Sequence, residues 1–212
     1  KKQGYLPEAI INNLILLGWS PKKNDDELIQ LTNIIPLFNI KDLSKSASIF
    51  SYKKLDYFNN YYLRQEQNLE LFIKYCKSNL DLKKYIEKDE KKLIRIFNIY
   101  KKDISKYQEM VNISEIYFNS NFDVLKNEIF DQEFNNCFKN FLDLINSIKN
   151  WEYDIINSEI KDFLKKNNLK FPILGKPIRF LLTNNYNGPS ITDIFVILGK
   201  EQSIKRLNKY KV

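Results

Sequence analysis

The chain has 212 residues, enough for one large or two small domains, and its 43% hydrophobic and 14% aromatic content can build a packed core. Its net charge of +8 favours an anionic partner, nucleic acid before a membrane surface, although a Lys-, Asn- and Ile-rich composition carries part of that charge without any partner. The absence of histidine excludes Ser-His and Cys-His catalysis and the common His-containing zinc sites, and no Gly-rich phosphate loop or run of membrane-spanning length occurs.

In chain order, the sequence opens Lys1-Lys2-Gln3-Gly4 without Met or a signal-peptide pattern, and reads as a piece of a longer protein. Pro7 suits the first turn of a helix that Gly18 stops, with Ile10, Ile11, Leu14 and Leu17 predicted as its buried face. Trp19 and Pro21 lead into an acidic loop at 24–27. Thr32 is the expected cap of a short helix ending near Phe38, with Pro36 early in it. Residues 41–48 form a loop of small residues, and 51–64 an aromatic, basic helix.

Residues 66–150 are low in complexity but helical. One stripe is Leu69, Phe72, Ile73, Cys76 and Leu80, and a second is Leu93, Ile94 and Phe97 with Tyr100 or Lys101. Ile104, Tyr107, Val111, Ser114 and Phe118 make a third. After a break at Asn119-Ser120-Asn121, Phe130, Phe134, Cys137, Phe138, Phe141, Leu142 and Ile145 form a long apolar face. Helical spacing accounts for these aromatics as core rather than as a platform for bases. Cys76 and Cys137 read as small packed residues, not as a disulfide or metal pair. Residues 152–168 form an amphipathic helix with Ile155, Ile156, Ile160, Phe163 and Leu164 inward.

Pro172, Gly175 and Pro177 are then expected to break the chain repeatedly just before Arg179. The apolar run Phe180-Leu181-Leu182 and a turn-forming loop at 184–189 follow. Ser190 or Thr192 caps the next predicted helix, Ile191 to Leu198, which Gly199 ends, and a second short helix carries Lys205 and Arg206 in its last turns.

Both ends resemble bacterial-type glutamyl-tRNA synthetases. Gly4-Tyr5-Leu6-Pro7-Glu8-Ala9 and Leu16-Leu17-Gly18-Trp19-Ser20 match the segment after that family's catalytic Lys-Leu-Ser-Lys loop. Ser44-Lys45-Ser46, Phe50, Lys54-Leu55, Tyr57, Asn59 and Tyr62 follow in the family's order, with Ser51 where Asp is usual and Tyr57 where Trp is usual. Leu43-Ser44-Lys45-Ser46 is similar to the catalytic loop but lacks its first Lys and falls in the stem-contact context. At the other end, Gly175-Lys176, Arg179, Thr183, Gly188-Pro189, Leu198-Gly199-Lys200-Glu201 and Arg206-Leu207 keep the order of the family's anticodon cage. Asn184 departs from it, since Gly commonly follows the Thr.

The resemblance implies an all-α chain: a multi-helix stem-contact region (1–65), then two packed helical anticodon-binding subdomains (66–148 and 149–212). It places Arg179, Asn187, Gly188, Pro189 and Ile191 at the anticodon, with Ile191 offering an apolar surface to a base. Lys101 and Lys102 stand where the family often has an anticodon Arg, though lysine lacks the planar fork that reads a base edge. Lys45, Lys53, Lys54, Asn59 and Arg64 are the implied stem contacts. The implied partner is tRNA for glutamate, with glutamine tRNA left open; the parent is a class I ligase, cytoplasmic and monomeric, away from membranes. No catalytic residue, metal or cofactor is expected in this stretch, because ATP and Mg belong to a catalytic domain preceding Lys1. The competing reading is a basic helical protein-interaction module without a catalytic role.

Overall fold

The structure is a computed structural model that describes residues 4–19, 27–45, 48–65, 68–124 and 130–210. Pro21, Asp25, Asp26 and Ser46, which entered the sequence reading, lie outside these residues. Among the described residues the chain is all-α: eleven α-helices, two single-turn 3₁₀ helices and one isolated antiparallel bridge between Trp19 and Leu43. It divides into two compact units, Lys1–Ile113 and Ser114–Val212.

In the first unit, α1 (Pro7–Gly18) packs on α3 (Tyr52–Leu63). The buried face of α1 is not the predicted one. Ala9, Asn12 and Asn13 are buried, while Ile11 and Leu14 are exposed. The reason is a polar staple. Asn12 Nδ2 donates to the Glu27 carbonyl at 2.8 Å, and Oδ1 accepts from Ile29 N at 3.0 Å, with the Tyr62 hydroxyl also 3.0 Å away. Pairing a buried backbone amide outweighs hiding one more apolar side chain. Trp19, Ile29 and Ile34 form a small core beside α2 (Leu31–Leu37). Thr32 does not cap α2; Gln30 is the N-cap residue, and its carbonyl accepts from Asn33 N at 2.8 Å. Ser51 caps α3, accepting from Lys54 N at 3.3 Å.

Helices α4 (Asn68–Ser78) and α5 (Leu80–Tyr100) are separate, because Asn79 accepts from Asp81 N and Leu82 N and starts the second. Leu80, expected in the α4 stripe, therefore opens α5 and is 84% exposed. Phe72 of α4 stacks on Phe97 of α5 with centroids 4.1 Å apart, and Tyr107 closes the core at 5.4 Å from Phe72. Cys76 and Cys137 are free and buried, and burial pushes the Cys76 thiol up to about 12.

The boundary between the units falls within α6 (Met110–Phe118). The second unit packs α7 (Gln132–Ser147), α8 (Tyr153–Lys166), α9 (Phe171–Thr183), α10 (Ile191–Leu198) and α11 (Lys200–Leu207) around Phe134, Phe141, Ile156, Leu181, Ile194 and Phe195. Pro172, Gly175 and Pro177 do not break the chain: α9 runs through all three. Pro172 lies in the first turn, where an N–H would be unpaired anyway, and Pro177 removes one bond from a helix otherwise held by buried Leu174, Ile178 and Leu181. Gly175 makes room for Phe171, whose ring would lie 2.5 Å from an added Cβ.

Basic residues of the last helix, and Lys209 just after it, hold backbone carbonyls of the second unit. Arg206 is 1% exposed; Nη1 donates to the Leu182 carbonyl at 2.5 Å, and Nη2 to those of Ile116 and Asn119 at 2.7 and 3.1 Å. These acceptors belong to the ends of α9 and α6, whose last carbonyls have no helical partner. Burial lowers the Arg206 pKa to about 10, which leaves it charged at neutral pH. Lys200 Nζ bonds to the Ile148 carbonyl at 2.6 Å, after α7, and Lys209 Nζ to the Phe122 carbonyl and Asp123, each at 2.5 Å.

Candidate nucleic-acid interface

Arg179 lies in the last half of α9, and its side chain crosses to the following loop. Nε donates to the Pro189 carbonyl and Nη1 to the Tyr186 carbonyl, each at 3.0 Å. A guanidinium carries five N–H bonds. Two are used here, so both on Nη2 and one on Nη1 remain without a partner among the described residues. The side chain is thus fixed by two carbonyls while the edge shared by Nη1 and Nη2 stays open. Among the described residues no acid pairs with it; Asp193 instead accepts from Ser190 Oγ at 2.6 Å in the cap of α10.

The loop itself is held at both ends. Thr183 Oγ1 donates to the Arg179 carbonyl at 2.8 Å, and Asn184 adopts the left-handed conformation at φ 54°. Asn tolerates that conformation better than most residues, which explains how it can stand where the family carries Gly. Ser190, not Thr192, caps α10; Thr192 is buried. Asn187 and Gly188 are exposed and Pro189 is half-buried beside Arg179. Ile191 is 1% exposed, so its expected surface for a base is not there; it anchors α10 in the core. Sequence reasoning passed over Tyr186, whose carbonyl positions Arg179 and whose half-exposed ring stacks on Phe180 at 4.6 Å. A lone loop Tyr carries no signal for either role.

In the first unit, Asn59 is not a surface group. It is fully buried, accepting from Leu6 N at 2.7 Å and donating to the Gly4 and Ser105 carbonyls. Asn59→Ala is expected to cost about 2 kcal/mol, because it leaves a buried amide and carbonyl unpaired. Chemical denaturation should report that loss, and a stability within 0.5 kcal/mol of wild type, roughly the range of neutral surface changes, would refute it. Lys45 and Lys53 are exposed, and Lys54 pairs with Glu27 at 2.6 Å. Arg64 and Lys102, assigned on sequence to different surfaces, come together: Arg64 Nη2 donates to Asn60 and to the Lys102 carbonyl at 3.2 Å. Asn60 Nδ2 donates to the same carbonyl at 3.1 Å and to that of Ile104 at 2.5 Å, so the segment after α5 is pinned to α3. Lys102 is exposed and Lys101 half-buried at the α5 C-cap.

Residues 67–211 match the family model described as "Anticodon binding domain", and residues 1–57 match "tRNA synthetases class I (E and Q), catalytic domain". The chain belongs to the glutamyl-tRNA synthetase family. What it represents is the family's C-terminal, anticodon-binding half, with a small part of the catalytic domain. It is 32% identical over 216 residues to the glutamate–tRNA ligase of Mycoplasma mycoides, covering 98% of this chain and 44% of that protein. The Nitrosomonas eutropha ligase is 29% identical over 209 residues at the same coverage. The crystal structure of the synthetase from Elizabethkingia anophelis aligns with a TM-score of 0.76 at 26% identity, over 97% of this chain and 40% of that one. The chain therefore spans less than half the length of the relatives it matches. These matches set aside the protein-interaction module. No helix among the described residues is long and apolar enough to cross a membrane.

Proposed function

We propose that this chain binds the tRNA for glutamate, with the α9–α10 loop at the anticodon and the first unit against the stem, as part of an enzyme that ligates glutamate to that tRNA. The observation that supports it most is Arg179, whose guanidinium is oriented by the Tyr186 and Pro189 carbonyls with an edge left for a ligand. A planar donor pair held this way loses little entropy when it meets a base edge of a splayed anticodon. Asn187, Gly188 and Pro189 would line the approach. Lys45, Lys53, Lys54 and Arg64 would meet backbone phosphates, with Lys101 and Lys102 as cations rather than base readers. On this reading residues 1–65 act at the stem, and 66–148 and 149–212 form two anticodon-binding subdomains. The chain would work as a cytoplasmic monomer, with ATP and Mg held by the catalytic domain of the parent.

Filter binding of the 212-residue chain tests this. Affinity should fall steeply with salt, and glutamate tRNA should bind more tightly than the same tRNA with a substituted anticodon. Equal binding of both would remove the anticodon role. The same preparation should catalyse no glutamate-dependent ATP–pyrophosphate exchange, and exchange above that of a mock preparation would contradict the division of labour.

A further inference from the structure

A cavity of about 710 Å³ opens in the first unit, between residues 4–7 and the junction of α4 with α5. Small-molecule sites run to about 300–1,000 Å³. Leu6, Pro7, Leu71, Leu80, Tyr75 and Tyr107 give it apolar walls. The rings of Tyr75 and Tyr107 stand 5.3 Å apart at 39° and form an aromatic corner. Gly4 fixes the N-terminal wall. Its φ is 80°, and an added Cβ would lie 3.0 Å from Tyr107 N, so glycine lets the chain run directly against that residue. Leu71 and Leu80 line the cavity while 40% and 84% exposed, which leaves apolar surface open at its mouth.

The uncharged polar lining is already committed. Gln108 Oε1 accepts from Asn79 Nδ2 at 2.9 Å and from the Tyr75 hydroxyl at 2.8 Å. Ser78 Oγ donates to the Tyr75 carbonyl at 2.9 Å. The two charged residues of the lining are free. Among the described residues, neither the Lys74 ammonium nor the Asp81 carboxylate has a hydrogen-bond or ion-pair partner, and they do not pair with each other. Lys74 comes from α4 and Asp81 from the first turn of α5. The cavity thus offers one open cation, one open anion and apolar walls. A bare amine entering it would meet Asp81 but also face Lys74, and a bare carboxylate would suffer the reverse. A molecule with both groups and an apolar body answers every part of the lining at once.

We propose that this cavity binds a free α-amino acid with an aromatic or large aliphatic side chain. The carboxylate of the ligand meets Lys74, its ammonium meets Asp81, and its side chain lies against Leu6, Leu71, Tyr75 and Tyr107. The assignment goes beyond the tRNA-binding reading and does not rest on it. Glutamate is excluded, because its second carboxylate would be buried against apolar walls without a partner.

Titration of the 212-residue chain with L-phenylalanine tests this. The amide resonances of Ser78, Asn79, Leu80 and Asp81 should shift saturably, and Tm should rise with ligand concentration. L-Glutamate at the same concentration should leave both unchanged. Phenethylamine, which lacks the carboxylate, and 3-phenylpropionate, which lacks the amine, should each bind about 10-fold more weakly than L-phenylalanine, as for loss of one charged contact. Lys74→Gln should weaken L-phenylalanine about 10-fold without weakening phenethylamine. Asp81→Asn should weaken L-phenylalanine alike without weakening 3-phenylpropionate. Both residues are exposed, so the helical circular dichroism should match wild type. Loosened helices alone would weaken all three ligands together. The absence of a saturable shift with L-phenylalanine, equal binding of L-glutamate, or variants that keep wild-type affinity would each overturn the site. Shifts seen in this chain but lost in a full-length ligase carrying it would assign the cavity to other parts of that enzyme and overturn it too. None of these outcomes bears on tRNA binding.

Discussion

Arg206→Leu is expected to lower stability by about 3–5 kcal/mol, somewhat less than three hydrogen bonds from a charged donor at about 1.5–3 kcal/mol each. Three carbonyls, those of Leu182, Ile116 and Asn119, take their hydrogen bonds from this guanidinium. Leucine fills most of the volume but leaves the Leu182 carbonyl buried and unpaired, at a cost of about 1–3 kcal/mol before relaxation, and the part-buried Ile116 and Asn119 carbonyls at a smaller cost. The face of Phe122, 4.0 Å from the guanidinium carbon, loses its cation as well. Part of the loss is returned because a charge no longer has to be desolvated, so the expected figure lies below the sum. In a protein of this size that corresponds to a fall in Tm of roughly 10 °C. Arg206→Lys should recover a minor part, since one ammonium cannot reach acceptors that the planar fork reaches together. Thermal unfolding followed by circular dichroism reads both. A leucine variant melting within about 2 °C of wild type, less than 1 kcal/mol, would mean that the clamp is not what holds α6, α9 and α11 together.

Arg179→Ala should weaken glutamate-tRNA binding by about 1–3 kcal/mol, a 5- to 150-fold loss, as for a bidentate base contact. Because Arg179 also holds the Tyr186 and Pro189 carbonyls, the alanine variant loosens the loop that carries Asn187 and Gly188. Arg179→Lys separates the two effects: it keeps a charge for a phosphate but not a planar edge for a base. The lysine variant should therefore bind almost as weakly as the alanine variant. A tRNA with a substituted anticodon should already bind poorly and lose little more in either. An equal penalty on both tRNAs would make Arg179 a phosphate or loop-bracing residue and end its assignment as a reader.

What the sequence disclosed were features written in neighbouring residues. Pro7, Ser190 and Gly199 bound their helices because such signals depend on a group within three residues of the helix end. The aromatic periodicity of 130–145 identified a buried face because it is long and unambiguous. The inward side of α1 was not legible. Apolar residues lie almost all round that helix, and the side that faces in is chosen by Asn12, whose partners stand 15 to 50 positions away. The same reason hid the work of Asn59, Lys200 and Arg206. Their acceptors are backbone carbonyls, and every residue has one of those. Pro177 misled for the opposite reason: its local penalty is real, but the apolar residues on either side bury enough surface to override it. The motif around Arg179 gave the residue and not its setting, since the carbonyls that orient it come from Tyr186 and Pro189 whatever their side chains.

The Arg206 clamp also has a temporal side. Its acceptors at Ile116 and Asn119 precede it by 90 and 87 positions. A chain leaves the ribosome from its N-terminal end, and domains fold as they emerge. Residues 1–113 can close on themselves while the rest is still being made, whereas the later unit must wait for residue 206 before its helix ends are paired. Until then α6 and α9 present bare carbonyls and uncovered apolar faces. Contacts of such high order are slow to form, so the interval between synthesis of α6 and arrival of α11 is when the nascent chain is most open to aggregation or to chaperone capture.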